Sequence, residues 1–219
     1  MLNVTRLTDP VQTDEPITQI YHLSDIHVRL HERIDEYEKV FNTFFDQLEE
    51  CEHPESSIVL ISGDIVHNKA HLSPELILCV RNMFESLASL LPVFIIMGNH
   101  DVNMTNEQRV DSLTALLDNL EYQNNIHYMK DQGIYEYRNL RFVVSSFLNT
   151  NKQIVSINDV HSTLEHYKQH IQNHQYEQYE QYEYTYTIGL YHGLINNTRT
   201  YTHTVESCNV TIKDFDGYD

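Results

Sequence analysis

Four short polar groups follow four apolar segments of this chain, and each group carries residues that can bind metal ions. The segments have the length and β-branched composition of buried strands, and the regions between the first three have the spacing of amphipathic helices. This alternation predicts a parallel sheet built from right-handed crossover units. Ligands of open α/β sheets collect at the carboxyl ends of the strands, so we expect the four groups to converge there. In chain order they are Asp25-Ile26-His27, Gly63-Asp64, Gly98-Asn99-His100-Asp101 and His192-Gly193.

The periodicity of the apolar residues predicts the bounds of the elements. A crossover half is followed by strands with short connections, which favours an antiparallel portion and a mixed α/β class. The Gln-Tyr-Glu repeat at 175–183 has a three-residue period that does not hold one helix face, and we interpret it as a low-complexity extension of a surface element. The predicted strands are 17–23, 57–61, 93–97, 126–129, 133–137, 140–147 and 185–190, and the predicted helices are 32–52, 73–91, 106–119 and 159–180.

The residue types in the four groups indicate the kind of metal. Carboxylates, imidazoles and an amide oxygen together suit manganese, iron, zinc or magnesium better than a soft metal. The carboxylate of Asp64 has two oxygens and can bridge two cations, and a pair of cations can generate hydroxide and clamp a phosphoryl group. A single Asp-x-His or Gly-Asp is common on protein surfaces. All four groups in order, each after a strand, predict a phosphoryl-transfer site.

These ordered motifs resemble those of the calcineurin-like metallophosphoesterases. The resemblance implies a four-layer α/β/β/α sandwich of two mixed sheets, formed by residues 17–219 after an N-terminal extension of residues 1–16. It also implies hydrolysis of phosphate esters with two divalent cations, of which Mn2+ is the first expectation and Fe2+, Zn2+ and Mg2+ are the others. A metal-bound hydroxide would be the nucleophile.

The resemblance further assigns a role to each site residue. It implies that Asp25 and His27 hold the first metal, that Asp64 bridges, and that Asn99 and His192 hold the second. His100 would contact the scissile phosphate and protonate the leaving oxygen, with Asp101 orienting it.

Within the family the chain is most similar to the DNA-repair nuclease branch, the SbcD-type exonucleases that pair with an SMC-like ATPase. In this branch His67 would be a second phosphate contact, DNA the substrate and the ATPase a partner. The similarity is carried by Gly63-Asp64-Ile65-Val66-His67, Leu72-Ser73-Pro74-Glu75, Arg109-Val110-Asp111-Ser112-Leu113 and Phe215-Asp216-Gly217-Tyr218-Asp219.

The net charge of −18 leaves other functions open. An acidic surface suits divalent cations but discourages binding to polyanions, which gain affinity mainly from Lys and Arg. We therefore expect DNA binding to depend on the metals and on a partner or homodimer that adds positive charge. One alternative is a small-molecule phosphodiesterase or phosphoprotein phosphatase. Another is a catalytically incomplete chain that binds a partner without turnover.

One motif of the family is missing. The family closes its site with Gly-His-x-His, which gives one histidine to each metal, whereas the last histidine here is His203. The sequence therefore predicts a chain that lacks its last motif and strands, with low activity of its own. His203 is the first candidate to replace the missing ligand.

Three widely spaced cysteines, at 51, 79 and 208, favour a reducing compartment over a disulfide framework. The apolar runs are too short to cross a bilayer, and residues 1–16 lack the pattern of a secretory signal. We expect an intracellular protein, cytoplasmic or nuclear, without a membrane partner.

Overall fold

The computed structural model describes residues 2–10, 13, 15–29, 33–104, 106, 108–146, 154–173, 186–196 and 210–219. These residues form two compact units, one of Asp9–Lys130 and one of Met1–Thr8 with Asp131–Asp219. Each unit contains a four-stranded sheet. The predicted mixed α/β class with two sheets and helices is therefore confirmed.

Eight strands and four α-helices are present among the described residues. The strands are β1 (Asn3–Arg6), β2 (Gln19–Leu23), β3 (Ser57–Ser62), β4 (Val93–Ile96), β5 (Ile126–Tyr128), β6 (Gly133–Tyr137), β7 (Leu140–Ser145) and β8 (Tyr186–Tyr191). The helices are α1 (Ile34–Glu49), α2 (Pro74–Leu90), α3 (Ser112–Leu117) and α4 (Ile157–Asn173).

The sheet of the 9–130 unit is parallel throughout, in the order β2-β3-β4-β5. Its central strands β3 and β4 are almost wholly buried, as expected for strands covered on both faces. The prediction that 126–129 belongs to an antiparallel portion is wrong, because Ile126 pairs in parallel with Val93. The connection from β4 to β5 contains α3, and such a crossover returns the chain in the same direction.

Helix α2 shows how the local sequence fixes an element of this unit. The Ser73 side chain accepts a hydrogen bond from the Leu76 amide at 3.2 Å, and Pro74 occupies the first turn. The buried side chains recur at helical spacing along one face. They are Leu76, Cys79, Val80, Met83, Phe84, Leu87 and Ala88.

The sheet of the second unit is mixed, in the order β1-β6-β7-β8. Strands β6 and β7 form the predicted antiparallel hairpin, whereas β1 and β8 pair in parallel with their neighbours. Strand β1 lies within residues 1–16, where the sequence pattern predicted no strand. Under the sheet, Ile134 and Val143 pack with Val155 and Val160 in a buried cluster.

Helix α4 ends at Asn173, so the Gln-Tyr-Glu repeat lies outside the described residues. His203 also lies outside them. No helix within the described ranges is long and apolar enough to span a membrane.

Candidate metal centre

The loops that follow β2 and β3 remain paired beyond the ends of the strands. The Asp25 amide donates to the Gly63 carbonyl at 3.1 Å, and the His27 amide donates to the Asp64 carbonyl at 2.9 Å. Directly after His27, Val28 forms a parallel bridge with Val66. This pairing holds the first two predicted groups side by side at the carboxyl end of the parallel sheet.

The backbone is strained at the residues predicted to bind metal in these loops. Asp25, His27 and Asp64 have φ values of 54°, 49° and 54°, in the left-handed region. Non-glycine residues adopt this region at a cost, and such costs concentrate at functional sites. Three of the seven non-glycine residues with positive φ among the described residues are predicted ligands.

Two glycines allow the Asp64 side chain to lie close to the next loop. A Cβ atom on Gly98 would overlap Asp64 Oδ1 and the Asp64 amide nitrogen. A Cβ atom on Gly63, which has φ 85°, would lie 2.5 Å from the Gly98 nitrogen. Only residues without a side chain permit this approach of β3 and β4 at their ends.

Asp25, His27 and Asp64 together form a candidate site for a divalent cation. His27 Nε2 lies 3.4 Å from Asp64 Oδ2 and 3.8 Å from Asp25 Oδ1. One ligand atom from each residue lies within 4.8 Å of the other two. An ion with bonds of about 2.0–2.2 Å needs ligand atoms roughly 3 Å apart, so the donor set and its spacing fit a divalent cation. Asp64 is buried and Asp25 is exposed, which leaves one side of the group open.

The environment of His27 favours the neutral ring that a metal requires. Burial lowers the pKa of its imidazole, and His100 and His67 add to this, while Asp64 and Asp25 oppose it. The net direction is downward. His27 Nδ1 is buried and has no hydrogen-bond partner within the part of the chain that the structure describes.

Asp101 is buried and ties the loops together through their main chains. Its Oδ1 accepts hydrogen bonds from the amides of Ile65 and Val66 at 3.0 and 3.1 Å, and its Oδ2 accepts from the Gly98 amide at 2.9 Å. Burial raises the pKa of its carboxyl to about 6, although the amides of Gly98 and Val66 oppose the shift. The resemblance assigned Asp101 to orient His100, but the structure places the His67 carbonyl 2.7 Å from His100 Nδ1.

The two predicted phosphate contacts lie beside the candidate metal ligands. The rings of His67 and His100 are stacked with centroids 5.5 Å apart, and the His100 ring meets that of His27 edge to face at 4.7 Å. The His100 amide also donates to Asp64 Oδ1 at 2.8 Å. The motifs placed these histidines near one site, but nothing in the sequence predicted three imidazoles in mutual contact.

The other two predicted metal ligands are Asn99 and His192. Asn99 is exposed between Gly98 and His100 in the loop after β4, and His192 directly follows β8 in the second unit. Their roles as ligands therefore stay predictions. Two neighbours of the site were missed. Lys69 donates to the Asn99 carbonyl at 3.0 Å, and Tyr37 donates its hydroxyl to the His27 carbonyl at 2.8 Å.

Comparisons with known proteins agree with this geometry. The family model for calcineurin-like phosphoesterases matches residues 18–206. A curated protein named Uncharacterized protein R555, from Acanthamoeba polyphaga mimivirus, is 33% identical over 214 residues. That alignment covers 97% of this chain, and the chain spans about 15% of the length of that relative.

Proposed function

The chain belongs to the calcineurin-like phosphoesterase family, whose members hydrolyse phosphoesters with metal ions, and we propose that its substrate is the phosphodiester backbone of DNA. The single observation that carries this proposal is the position of His67 and His100 beside Asp25, His27 and Asp64. Ligands for a cation and groups for a phosphate thus share one edge of the parallel sheet. We further propose two cations in the complete centre, with Mn2+ preferred.

The side chains have two kinds of role, in stabilising charge and in transferring a proton. Cations held by Asp25, His27 and Asp64 would lower the pKa of a water molecule and withdraw charge from a phosphate oxygen. His67 offers its imidazole to the phosphate from the loop after β3. Because carbonyl oxygens only accept hydrogen bonds, the 2.7 Å contact with His67 O places the proton of His100 on Nδ1. As general acid, His100 would carry a second proton on Nε2 and give it to the leaving oxygen, while Nδ1 keeps its proton on the His67 carbonyl.

Two observations bear on the choice of a diester over a monoester. The motif from Gly63 to His67 resembles the DNA-repair nuclease branch, which favours a diester. The net charge of −18 favours the second candidate, a small-molecule phosphodiesterase or phosphoprotein phosphatase. The two candidates share the same metal chemistry and differ in substrate.

Hydrolysis assays with Mn2+ on three substrates would test the proposal. The substrates are a DNA oligonucleotide, bis-p-nitrophenyl phosphate and p-nitrophenyl phosphate. We expect cleavage of both diesters and slow turnover of the monoester. His100→Ala should lower the diester rate by about 10²–10⁴-fold, the usual contribution of a general acid. The manganese content of the His100→Ala variant should equal that of the wild type.

A matched variant separates this effect from a general loss of histidine. His71→Ala changes an exposed histidine of the loop before α2 and should leave the rate unchanged. A marked preference for the monoester would favour the phosphatase. Tight manganese binding without hydrolysis of any substrate would favour a binding protein. Manganese lost in parallel with activity in His100→Ala would make His100 a ligand.

A further inference from the structure

A second group of metal-binding side chains overlaps the first. His27, His67 and His100 come from the loops after three consecutive parallel strands, β2, β3 and β4. One nitrogen from each imidazole lies within 4.8 Å of the other two. The ring centroids are 5.6 Å apart for His27 and His67, 4.7 Å for His27 and His100, and 5.5 Å for His67 and His100. This group contains no carboxylate, and it shares only His27 with the Asp25–His27–Asp64 group.

The tautomer of one member is already set for metal binding. The contact of His100 Nδ1 with the His67 carbonyl, at 2.7 Å, leaves the lone pair on Nε2. Ligating histidines typically donate their other ring nitrogen to a carbonyl or carboxylate in this way. Three neutral imidazoles with an open fourth position form a ligand set that tetrahedral Zn2+ accepts. Tetrahedral ligands stand roughly 3.3 Å apart at zinc–nitrogen bonds of about 2.0 Å, so small ring rotations would complete the site.

We propose that His27, His67 and His100 form a zinc site that excludes metal from the Asp25–His27–Asp64 group and inhibits the enzyme. A neutral imidazole has one nitrogen lone pair, so His27 can serve one ion at a time. Zinc in the three-histidine site would also withdraw His67 and His100 from the phosphate. Zinc binding stands on the geometry alone, whereas its inhibitory effect rests on the proposed function.

The two sites differ in the metal that they prefer. Manganese and magnesium favour oxygen ligands and octahedral coordination, which directs them to the pair of carboxylates. Zinc binds nitrogen ligands more strongly than manganese does and accepts four-coordinate geometry. Low zinc concentrations should therefore compete with manganese although the two ions occupy different ligand sets.

Cobalt(II) provides a readout that does not depend on turnover, since its visible absorption is far stronger in tetrahedral than in octahedral coordination. We expect a tetrahedral cobalt spectrum from the wild-type chain. One equivalent of Zn2+ should displace the cobalt and abolish this spectrum. Asp25→Asn is the matched control, because Asp25 belongs only to the carboxylate group, and it should keep the spectrum. His67→Ala and His67→Asn should lose it and bind zinc at least 10-fold more weakly. Manganese affinity, measured by calorimetry, should remain in both His67 variants and show that they are folded.

The inhibition is tested separately on bis-p-nitrophenyl phosphate. Zinc should inhibit the manganese-supported reaction, and the residual reaction of His67→Ala should need at least 10-fold more zinc for half inhibition. A tetrahedral spectrum that survives in His67→Ala and disappears in Asp25→Asn would overturn the site. If the His67 variants lose the tetrahedral spectrum and Asp25→Asn keeps it, but no condition gives hydrolysis, the zinc site is supported and the proposed function is contradicted.

Discussion

Asp64 reaches its position because the residue opposite it has no side chain. A Cβ atom on Gly98 would overlap both Asp64 Oδ1 and the Asp64 amide. We expect Gly98→Ala to displace Asp64 from His27 and to lower manganese affinity at least 10-fold. Isothermal titration of the folded variant with Mn2+ measures this directly.

A second glycine provides the control for this substitution. A Cβ atom on Gly133, in β6, would lie 2.9 Å from the Asn3 carbonyl oxygen. Gly133→Ala should therefore lower the melting temperature and leave manganese affinity unchanged. Equal manganese affinity in wild type and Gly98→Ala would contradict the prediction that Gly98 holds Asp64 in position as a ligand.

His127 should make the free energy of unfolding depend on pH. Its ring is buried and stacks on Phe94 with centroids 4.8 Å apart, and burial lowers its pKa to about 4. The unfolded chain takes up this proton near pH 6.5, so it binds more protons than the folded chain between pH 6.5 and 4. Stability is therefore lost as the pH falls through this window, by up to about 3 kcal/mol at about 1.4 kcal/mol per pH unit.

His127→Phe keeps a ring against Phe94 and removes the titrating group. Urea unfolding at pH 7, 6, 5 and 4 should show that the unfolding free energy of the variant, relative to that of the wild type, increases toward pH 4. The carboxylates that titrate in this range are common to both proteins and cancel in the difference. A constant difference between the two proteins would contradict a buried neutral His127.

At the scale of the elements, the parallel sheet was the part that the sequence defined best. The strands β3 and β4 are short buried runs that end shortly before Gly63 and Gly98, so the apolar pattern and the glycines indicate the same strand ends. Strand β5 was assigned to the wrong pairing because a short apolar run carries no information about its partner. Helix α3 begins at Ser112 and not at 106, since Asp111 caps it. Strand β1 was missed because its four residues are mainly exposed.

The sequence indicated which three candidate ligands would lie together, but not the conformation of their loops. Asp25, His27 and Asp64 do come together, as the strand-end rule requires. Their positive φ values depend on hydrogen bonds between two loops distant in sequence, which no local pattern encodes. The contact of His67 with His100 depends in the same way on side-chain rotamers and on a main-chain acceptor.

Helix α3 depends on one carboxylate that serves several donors. Asp111 accepts from the Thr114 amide and hydroxyl at 2.7 Å each, and Lys130 Nζ lies 2.7 Å from its Oδ2. Burial alone would raise the pKa of Asp111, but Lys130 and Thr114 outweigh it and the net shift is downward. The folded protein therefore holds the ionised form, and this stability is lost as the pH falls through the acid range.

Two substitutions separate the cap from the charge. Asp111→Ala removes both and should cost about 1–3 kcal/mol of unfolding free energy, from a lost cap and a broken ion pair whose lysine side chain is 44% exposed. Asp111→Asn keeps an oxygen for the Thr114 amide and should cost about half as much, since Asn and Asp are similar N-caps. Denaturant unfolding at pH 7 measures both. Equal costs for the two variants would mean that the ion pair with Lys130 contributes all of the effect.

For the molecule as a whole, net charge constrains the proposed binding of DNA. The chain carries 14 Lys and Arg against 32 Asp and Glu. Duplex binding loses affinity with salt in proportion to the number of phosphates that the protein neutralises. We propose that a chain with so few cations would hold DNA through bound metals, and that an SMC-like ATPase partner adds further positive charge. A homodimer is the alternative source of added positive charge, and the test must distinguish it from the ATPase partner.

Lys69 makes this argument testable at one residue. Its ammonium group lies 3.0 Å from the Asn99 carbonyl oxygen, in the loop that bears His100. Fluorescence anisotropy with a DNA duplex, at 50–200 mM salt and with Mn2+, should show weak binding that salt weakens further. Lys69→Gln should reduce the slope of log affinity against log salt by about 0.9, the value of one phosphate contact. Lys39→Gln, an exposed lysine of α1, is the matched control and should leave the slope unchanged. Tight binding that persists with EDTA and does not respond to salt would exclude metals and charge as the basis of DNA recognition.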